Sequence, residues 1–430
     1  MNIFISGIGG AGLGPLAEIA LDAGDAVFGS DLAPSLQTAE LEKRGVKIFY
    51  EQNADNLAKI HRENHIDWLI YTSALPDDAP ELQFARANHI KFSKRDEFLA
   101  EFIRRKNLSL VAVAGTHGKT TTTAMLVWVF QNLNMPISYS VGATLPFANS
   151  GHYDKNSRFF VYEADEYDRN FLHFSPAVAA IVSLDYDHAD IYKTVASYRA
   201  AFREFVAQSG QLVTFASVAE QLKNPPKNSV ILPDGATNFN EIQLPGAATR
   251  DDAKLAMETL RLILDDFDES KIREILSRFP GTSRRFEKLA ENLYTDYAHH
   301  PTEIAATLQK AREIAGARRK VVAVYQPHQN LRQREIVADG GYGKSFADAD
   351  EIFWTPTYLV RGDLTQNSHI LTSAELIETL DEKSRKVART AELNDELFAE
   401  ISRNLKKGNL IVVMGAGPID AWLRGELSRG

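Results

Sequence analysis

The sequence predicts an α/β protein built from three domains, and three features carry that expectation. The chain has 430 residues, whereas single domains run to roughly 150. Short runs of β-branched and aromatic residues alternate with helical patterns, as in a parallel sheet flanked by helices. That alternation restarts at "LSLVAVAGTHGKT" and again after "FPGTSRRFE", which places the domains at residues 1–107, 108–280 and 281–430.

In the first domain "NIFISGI", "AVFGSD", "KIFY" and "DWLIYTSA" read as strands, the last two preceded by the helical stretches "TAELEKRG" and "NLAKIHREN". The second opens on the apolar strand "LVAVA" and an amphipathic "TTAMLVWVFQNL", then continues through "FFVYEADEYD" and "VAAIVSLDYDHADIY". Residues 206–245 are poor in helical pattern and hold the turn signals "KNPPKNS" and "PDGATN". In the third domain "LYTDYAHHP", "KVVAVYQPH", "DEIFWTPTY" and "NLIVVMGAG" restore the alternation.

Two glycine-rich turns stand where strand passes into helix. In "GIGGAG", Gly7, Gly9 and Gly12 fit the G-x-G-x-x-G spacing: a tight turn, room for a diphosphate against the backbone, and close packing of helix on strand. Asp31 ends the next strand, where an acid hydrogen-bonds a ribose. The loop alone suggests NAD, but it recognises a diphosphate at a helix N-terminus and carries no information about nicotinamide; glycines that only tighten the turn are the plain alternative. The second turn, "GTHGKTTTT", is more specific. The backbone N–H groups from Gly115 through Thr116, His117 and Gly118 to Lys119 form an anion nest, Lys119 neutralises β- and γ-phosphate charge, and the Thr120 hydroxyl reaches Mg²⁺. Val113 occupies the position of the usual first glycine.

A nucleotide site of this kind needs acids, and two strand ends supply them. "EADEYD" brings Glu163, Asp165 and Glu166, and "DYDHAD" brings Asp185, Asp187, His188 and Asp190. If those strands are neighbours, the acids and His188 converge beside the second loop. Glu163 suits Mg²⁺, a hard cation, and a neutral histidine completes a second divalent site; taken singly, each acid is equally a solvated loop residue.

Composition narrows the classes further. A net charge of −9 argues against a general nucleic-acid or anionic-membrane binder. The chain has no cysteine, which excludes disulfides, thiolate nucleophiles and Cys-ligated zinc. "MNIFISGIG" lacks the basic and apolar regions of a signal peptide, and no run approaches about 18 uninterrupted apolar residues. The expected compartment is the cytoplasm.

These residues resemble the ATP-dependent Mur ligases that build the peptidoglycan stem peptide, over nearly the whole chain. The motifs that carry the resemblance are "GIGGAG", "GSDL", "AGTHGKTTTT", "EADE", "FLHFSP", "DHAD", "SRRFE", "DYAHHPTEIAATL", "YQPH" and "MGAG". The resemblance implies an N-terminal Rossmann-like domain holding the UDP of a sugar nucleotide, a central P-loop ATPase-like parallel sheet holding ATP, and a C-terminal Rossmann-like domain bringing an amino acid. Within the family the chain looks most like the members that add L-alanine to UDP-N-acetylmuramate; "EADEYD", "DYDHAD" and "DYAHHP" also resemble members that add the tripeptide L-Ala-γ-D-Glu-meso-diaminopimelate. Such members transfer the γ-phosphoryl group to the muramoyl carboxylate, and the amine then displaces phosphate; no enzyme nucleophile is required. By resemblance Gly7, Gly9, Gly10, Gly12, Asp31 and Ser73 face the UDP-sugar, and Gly115–Thr121 (with Thr121) face ATP. Thr120, Glu163 and His188 bind metal, Mg²⁺ with Mn²⁺ as a substitute, and His299 stands near the reacting groups. Tyr297, His328, Gln329 and Arg332 face the amino acid. The expected oligomeric state is a monomer or weak homodimer.

The chain departs from the family pattern in three places. "PHQNLR" stands where alanine-adding members carry "PHRYTR", so Gln329 replaces an arginine while His328 and Arg332 remain. The adenine-proximal "GxHNxxNA" becomes the run from Gly246 to Ala253, with Ala248 and Thr249 at the His-Asn positions. Arg199 and Arg203 occupy the neighbourhood of a lysine that some members carbamylate, so no carbamylation is expected. An NAD-dependent oxidoreductase leaves the second loop and "EADE" without a task. A catalytically dead nucleotide-binding module conflicts with the retained Lys119, Thr120, Glu163 and His188.

Overall fold

The structure, a computed structural model, describes residues 1–429 except 11, 73–74, 189, 236, 361–362 and 364–368. Among the described residues the strands form three sheets. In the first, β1 (Asn2–Ser6), β2 (Ala26–Ser30), β3 (Lys47–Phe49), β4 (Trp68–Tyr71) and β5 (Lys91–Lys94) run parallel in the order β3-β2-β1-β4-β5. Helices α1 (Gly14–Asp22), α2 (Leu36–Lys43), α3 (Ala54–Asn64), α4 (Pro80–Ala87) and α5 (Arg95–Arg105) follow these strands in turn. The strand order reverses beside β1, so the first glycine loop opens at the switch point where ligands bind in such sheets.

The second sheet holds β6 (Ser109–Ala114), β7 (Ser138–Ser140), β8 (Gly151–His152), β9 (Phe159–Glu163), β10 (Val178–Ile181), β11 (Gln211–Phe215) and β12 (Val230–Leu232). Their order is β12-β11-β10-β6-β9-β7-β8, parallel except for β8. Its helices are α6 (Lys119–Asn132), α7 (Val195–Ala207), α8 (Ala216–Leu222), α9 (Ala247–Ile263) and α10 (Glu269–Ser277). The third sheet comprises β13 (Glu287–Ala290), β14 (Leu293–Asp296), β15 (Val321–Tyr325), β16 (Glu351–Trp354), β17 (Ala388–Thr390) and β18 (Leu410–Met414), ordered β13-β14-β18-β15-β16-β17 and parallel except for β13. Helices α11 (Pro301–Ala315), α12 (Asn330–Ala338), α13 (Ser373–Ile377), α14 (Glu382–Lys386), α15 (Asp395–Lys406) and α16 (Ile419–Arg429) accompany it.

The chain forms two compact units, Met1–Ala236 with Asp252–Phe279, and Thr237–Asp251 with Pro280–Gly430. The first two sheets share one unit because their cores are continuous: Phe98 and Phe102 of α5 are buried in the same cluster as Tyr162 and Phe174. Burying those two α5 rings is worth about 3–6 kcal/mol. Gly151 shows how closely the parts approach, since a Cβ there would lie 2.1 Å from the Pro15 carbonyl oxygen. The Gly151 N–H donates to Glu18 of α1 at 2.7 Å.

Two expectations about organisation change. The stretch 206–245 carries β11, α8 and β12, missed because a seven-residue helix and a three-residue strand are too short to show a period. Strands β9 and β10 are not neighbours; β6 lies between them. The acids therefore reach the second glycine loop from both sides, a closer enclosure than adjacent strands would give.

Candidate functional site

The first cradle is made by the turn after β1. Gly7 has φ +85°, and Gly7 N–H and Ile8 N–H donate to Ser30 O at 2.8 and 3.1 Å, tying the turn to β2. Gly10 N–H donates back to Gly7 O at 3.1 Å. Gly9 has no room for a side chain: a Cβ would lie 2.8 Å from Thr38 Cγ2 and 2.9 Å from Asp31 Oδ2. Asp31 stands at the end of β2 as expected, with its carboxylate on the loop itself, accepting Gly9 N–H and Leu32 N–H, each at 2.7 Å. At Gly12 a Cβ would meet the Arg95 guanidinium at 2.6 Å. Helix α1 follows with Pro15 in its first turn and no charged side chain there, so nothing in that turn offsets the positive end of the helix dipole. Ser73 lies outside the described residues.

The second cradle is the turn from β6 into α6. Buried β6 delivers Gly115, at φ +135°, against β10's continuation; a Cβ would sit 2.8 Å from Ser183 N and O. Gly118 is left-handed at φ +82°, and a Cβ would lie 2.5 Å from Asp252 Oδ1. Thr116 Oγ1 donates to Asp185 O at 2.6 Å and lies 2.9 Å from the Tyr198 hydroxyl. His117 N–H donates to Ser183 Oγ at 2.8 Å. Lys119 opens α6 and folds back onto the loop, donating to Gly115 O at 2.5 Å and Thr116 O at 3.3 Å. Thr121, one residue into the helix past Thr120, is half-buried.

Around this loop the acids divide their work. Thr120 Oγ1 donates to Glu163 Oε1 at 2.7 Å, and Gly142 N–H donates to Glu163 Oε2 at 2.7 Å. A hydroxyl and a carboxylate side by side at a P-loop helix are the hard oxygens that Mg²⁺ accepts. Among the described residues no group of three or more His, Asp or Glu is arranged to hold a metal. The donor set thus fits an ion that takes its other ligands from phosphate and water, as Mg²⁺ does. Glu166 is fully buried and meets Lys119 Nζ at 2.9 Å. His188, left-handed at φ +57°, places Nε2 3.5 Å from the same carboxylate. Burial disfavours all three charges, yet Lys119 and His188 hold the Glu166 carboxyl below its ordinary value, and Glu166 holds Lys119 and His188 above theirs. Burial and the Glu166 charge raise the neighbouring Asp165.

The second unit gathers the remaining predicted residues at the C-terminal ends of β14 and β15. Tyr297 stacks under the guanidinium groups of Arg284 and Arg285, at 4.8 and 5.0 Å, and packs edge-on against His299. His299 Nδ1 lies 3.2 Å from Glu303 Oε2. His300 caps α11, in a reciprocal box with Glu303. His328 stacks on Tyr358 and is held below its ordinary value by burial and then by His299. Gln329 adopts φ +58° and its N–H donates to Tyr358 O at 2.9 Å. Arg332 lies in the first turn of α12, with Nη1 3.7 Å from Glu335. The two histidine loops are joined through Tyr342: Tyr325 Oη donates to His299 O at 3.2 Å and lies 3.0 Å from the Tyr342 hydroxyl, which donates to Gln333, and Gln333 donates to His328 O at 2.9 Å.

The altered run at Gly246 also finds a place. Gly246 N–H donates to Glu313 at 2.8 Å, and Arg250 makes two hydrogen bonds to the same carboxylate at 2.9 and 3.1 Å. The start of α9 is thereby bound to α11 within the second unit.

Sequence reasoning singled out the acids as a group but gave Glu166 no role, and it missed Asp252 and Arg95. Glu166 had a signal, its place three residues after Glu163. The other two reach the loops from distant elements, which a local pattern does not reveal.

Comparison with known proteins finds three family models along the chain. Residues 2–107 match a family model described as Mur ligase family, catalytic domain, residues 113–231 match the Mur ligase middle domain, and residues 284–417 match the Mur ligase, glutamate ligase domain. A UDP-N-acetylmuramate–L-alanine ligase of Caldicellulosiruptor saccharolyticus is 31% identical over 97% of this chain and 96% of its own length. One from Clostridium perfringens is 32% identical over 97% and 96%. Among solved structures, the UDP-N-acetylmuramate-alanine ligase of Thermotoga maritima covers 100% of this chain and 99% of its own at a TM-score of 0.77 and 26% identity. A murein peptide ligase of Psychrobacter arcticus shares the fold at a TM-score of 0.65 and 24% identity, covering 100% of this chain and 98% of its own.

Proposed function

Because the chain belongs to the Mur ligase family, we propose that it is an ATP-dependent, ADP-forming ligase that joins L-alanine to UDP-N-acetylmuramate in peptidoglycan precursor synthesis. The observation that carries the reading is the pair of phosphate cradles in one unit, the second furnished with Lys119, Thr120 and Glu163. One cradle is for the sugar nucleotide and the other for ATP. We assign residues 1–107 to the UDP-sugar, 108–280 to ATP and 281–430 to the amino acid.

The muramoyl carboxylate oxygen attacks the γ-phosphorus, the bond to ADP breaks, and an acyl phosphate results. The alanine amine then attacks the acyl carbon, and phosphate leaves as the amide forms. Gly7, Gly9, Gly10 and Gly12 receive the UDP diphosphate, with Asp31 and Ser73 at its sugar. Gly115–Lys119 wrap the ATP phosphates, and Lys119 exchanges its loop carbonyls for β- and γ-phosphate oxygens. Catalysis is largely positioning and charge neutralisation. Bound Mg²⁺, or Mn²⁺ in its place, would neutralise phosphate charge from Thr120 and Glu163, with His188 serving a second ion. Arg332 holds the alanine carboxylate with Tyr297, His328 and Gln329 around it, and His299 accepts a proton from the attacking amine. Among the described residues no helix is long and apolar enough to cross a membrane; we further propose that the enzyme is cytoplasmic, acts as a monomer or weak homodimer and binds no nucleic acid.

Isothermal calorimetry tests the assignment of the cradles. UDP-N-acetylmuramate and ATP should each bind with one site per chain, and NAD(H) should give no heat. Micromolar NAD(H) binding without UDP-sugar binding would reverse it.

A further inference from the structure

In the first cradle the N–H groups of Gly7, Ile8, Gly9 and Gly10 already donate to Ser30, Asp31 and Gly7, and a diphosphate carries more charge than the helix N-terminus offsets. A Cβ at Gly7 would meet Thr72, one at Gly9 would meet Thr38, Asp31 and Ser35, and one at Gly10 a backbone carbonyl, all neutral or acidic. Gly12 differs. A Cβ there would lie 2.6 Å from Arg95 Nη1 and 3.3 Å from its Cδ, so the guanidinium lies directly against the loop backbone. Arg95 is the first residue of α5, just past β5. Its Nε and Nη2 both donate to the Asp96 carboxylate at 3.1 Å, which fixes that edge of the fork. Asp96 is itself buried and accepts the Tyr162 hydroxyl. Nη1 belongs to the opposite edge, toward the glycines. The side chain keeps 25% of its surface exposed, enough for a ligand to reach it. Nη2 also lies 3.7 Å from Asp165, in the acid loop of the ATP cradle.

We infer that Arg95 is the side-chain cation of the first cradle, binding the diphosphate of the sugar nucleotide through the Nη1 edge while Asp96 holds the other edge in place. The inference rests on the UDP-sugar reading of that loop. An arginine suits the task because its planar fork donates to two acceptors at once, one protein carboxylate and one phosphate oxygen. The contact with Asp165 places the same guanidinium between the two cradles.

The test is binding of UDP-N-acetylmuramate and UDP, with uridine as the uncharged control, to wild type, Arg95→Ala, Arg95→Gln and Arg95→Lys. Alanine should weaken both diphosphates by about tenfold or more, the scale of a lost charge-assisted bond. Uridine should change by less than about twofold, lysine should recover part of the loss, and the loss should shrink as salt rises. Glutamine keeps most of the packing over Gly12 and carries the comparison if alanine loosens the start of α5. Equal loss for uridine would mark Arg95 as structural and overturn the inference, as would unchanged diphosphate affinity. If wild type binds neither diphosphate, the reading of the loop falls and the inference with it, an outcome distinct from both.

Discussion

Replacing Glu166 by glutamine probes the charge balance of the ATP cradle. Glu166 has no exposed surface, receives Lys119 Nζ at 2.9 Å, and has His188 Nε2 at 3.5 Å. The substitution keeps the volume and removes the carboxylate charge that Lys119 and the His188 ring both face. Removing one partner of a buried ion pair costs about 3–5 kcal/mol. Lys119 retains Gly115 O and Thr116 O as acceptors and leaves 17% of its side chain exposed, so about 2–3 kcal/mol is expected here. In a unit of this size each kcal/mol moves Tm by about 2–4 °C. Differential scanning calorimetry of the ligand-free protein should then show a fall of roughly 4–12 °C. ATP brings its own negative charge to Lys119, so saturating ATP should narrow the gap between variant and wild type. A variant that melts within about 1 °C of wild type, or a gap that ATP leaves unchanged, would refute the argument that Glu166 is the compensating charge.

Lys119→Ala should abolish phosphate release while leaving the circular dichroism spectrum intact, since stabilising the transferring phosphoryl charge is worth several kcal/mol in such sites; near-normal turnover would remove the loop from the ATP site. Arg332→Ala should raise the alanine KM by at least about tenfold with UDP-sugar and ATP constants nearly unchanged, whereas Gln329→Arg should preserve or improve alanine use. The hydrogen bonds from Arg250, and then from Gly246 and Gln309, pull Glu313 from 4.5 to about 2. A lowered carboxyl stabilises the fold fully above its unfolded value and loses that contribution as pH falls from 4.5 toward 2. The shift caps the effect near 3 kcal/mol, and because 31% of the Glu313 side chain is exposed, about 1–2 kcal/mol is expected. Urea midpoints of wild type and Glu313→Gln should therefore differ at pH 7 and converge as the pH drops below about 4.5; a gap that is constant with pH would exclude a charge origin.

The α/β class and the two cradles were legible in the sequence because each rests on local chemistry. An apolar strand, a glycine turn and a helix are contiguous, and the steric need for left-handed φ at Gly7 and Gly118 marks the turns. What the sequence hid was non-local. The insertion of β6 between β9 and β10 is a matter of sheet order, which no strand encodes by itself. Short elements such as β8 and β12 offer too few residues for a period, and β5, "KFSK", is a polar edge strand. Arg95, Asp252 and Glu313 act on loops far from their own positions, so nothing beside them in sequence announces the contact. Glu166 lies between: its position was visible, but its two partners, 47 residues before and 22 after it in the chain (Lys119 and His188), come together only in the fold.

The measurement that bears most directly on the account is phosphate release from ATP and Mg²⁺ with UDP-N-acetylmuramate, screened across L-alanine, L-serine, glycine and the tripeptide L-Ala-γ-D-Glu-meso-diaminopimelate, with the amide product followed by mass. The account predicts that release requires the UDP-sugar, is fastest with L-alanine, and matches amide formation one for one. Release supported by the tripeptide and not by alanine would contradict the assigned acceptor, and no release with any amine would contradict the ligase itself.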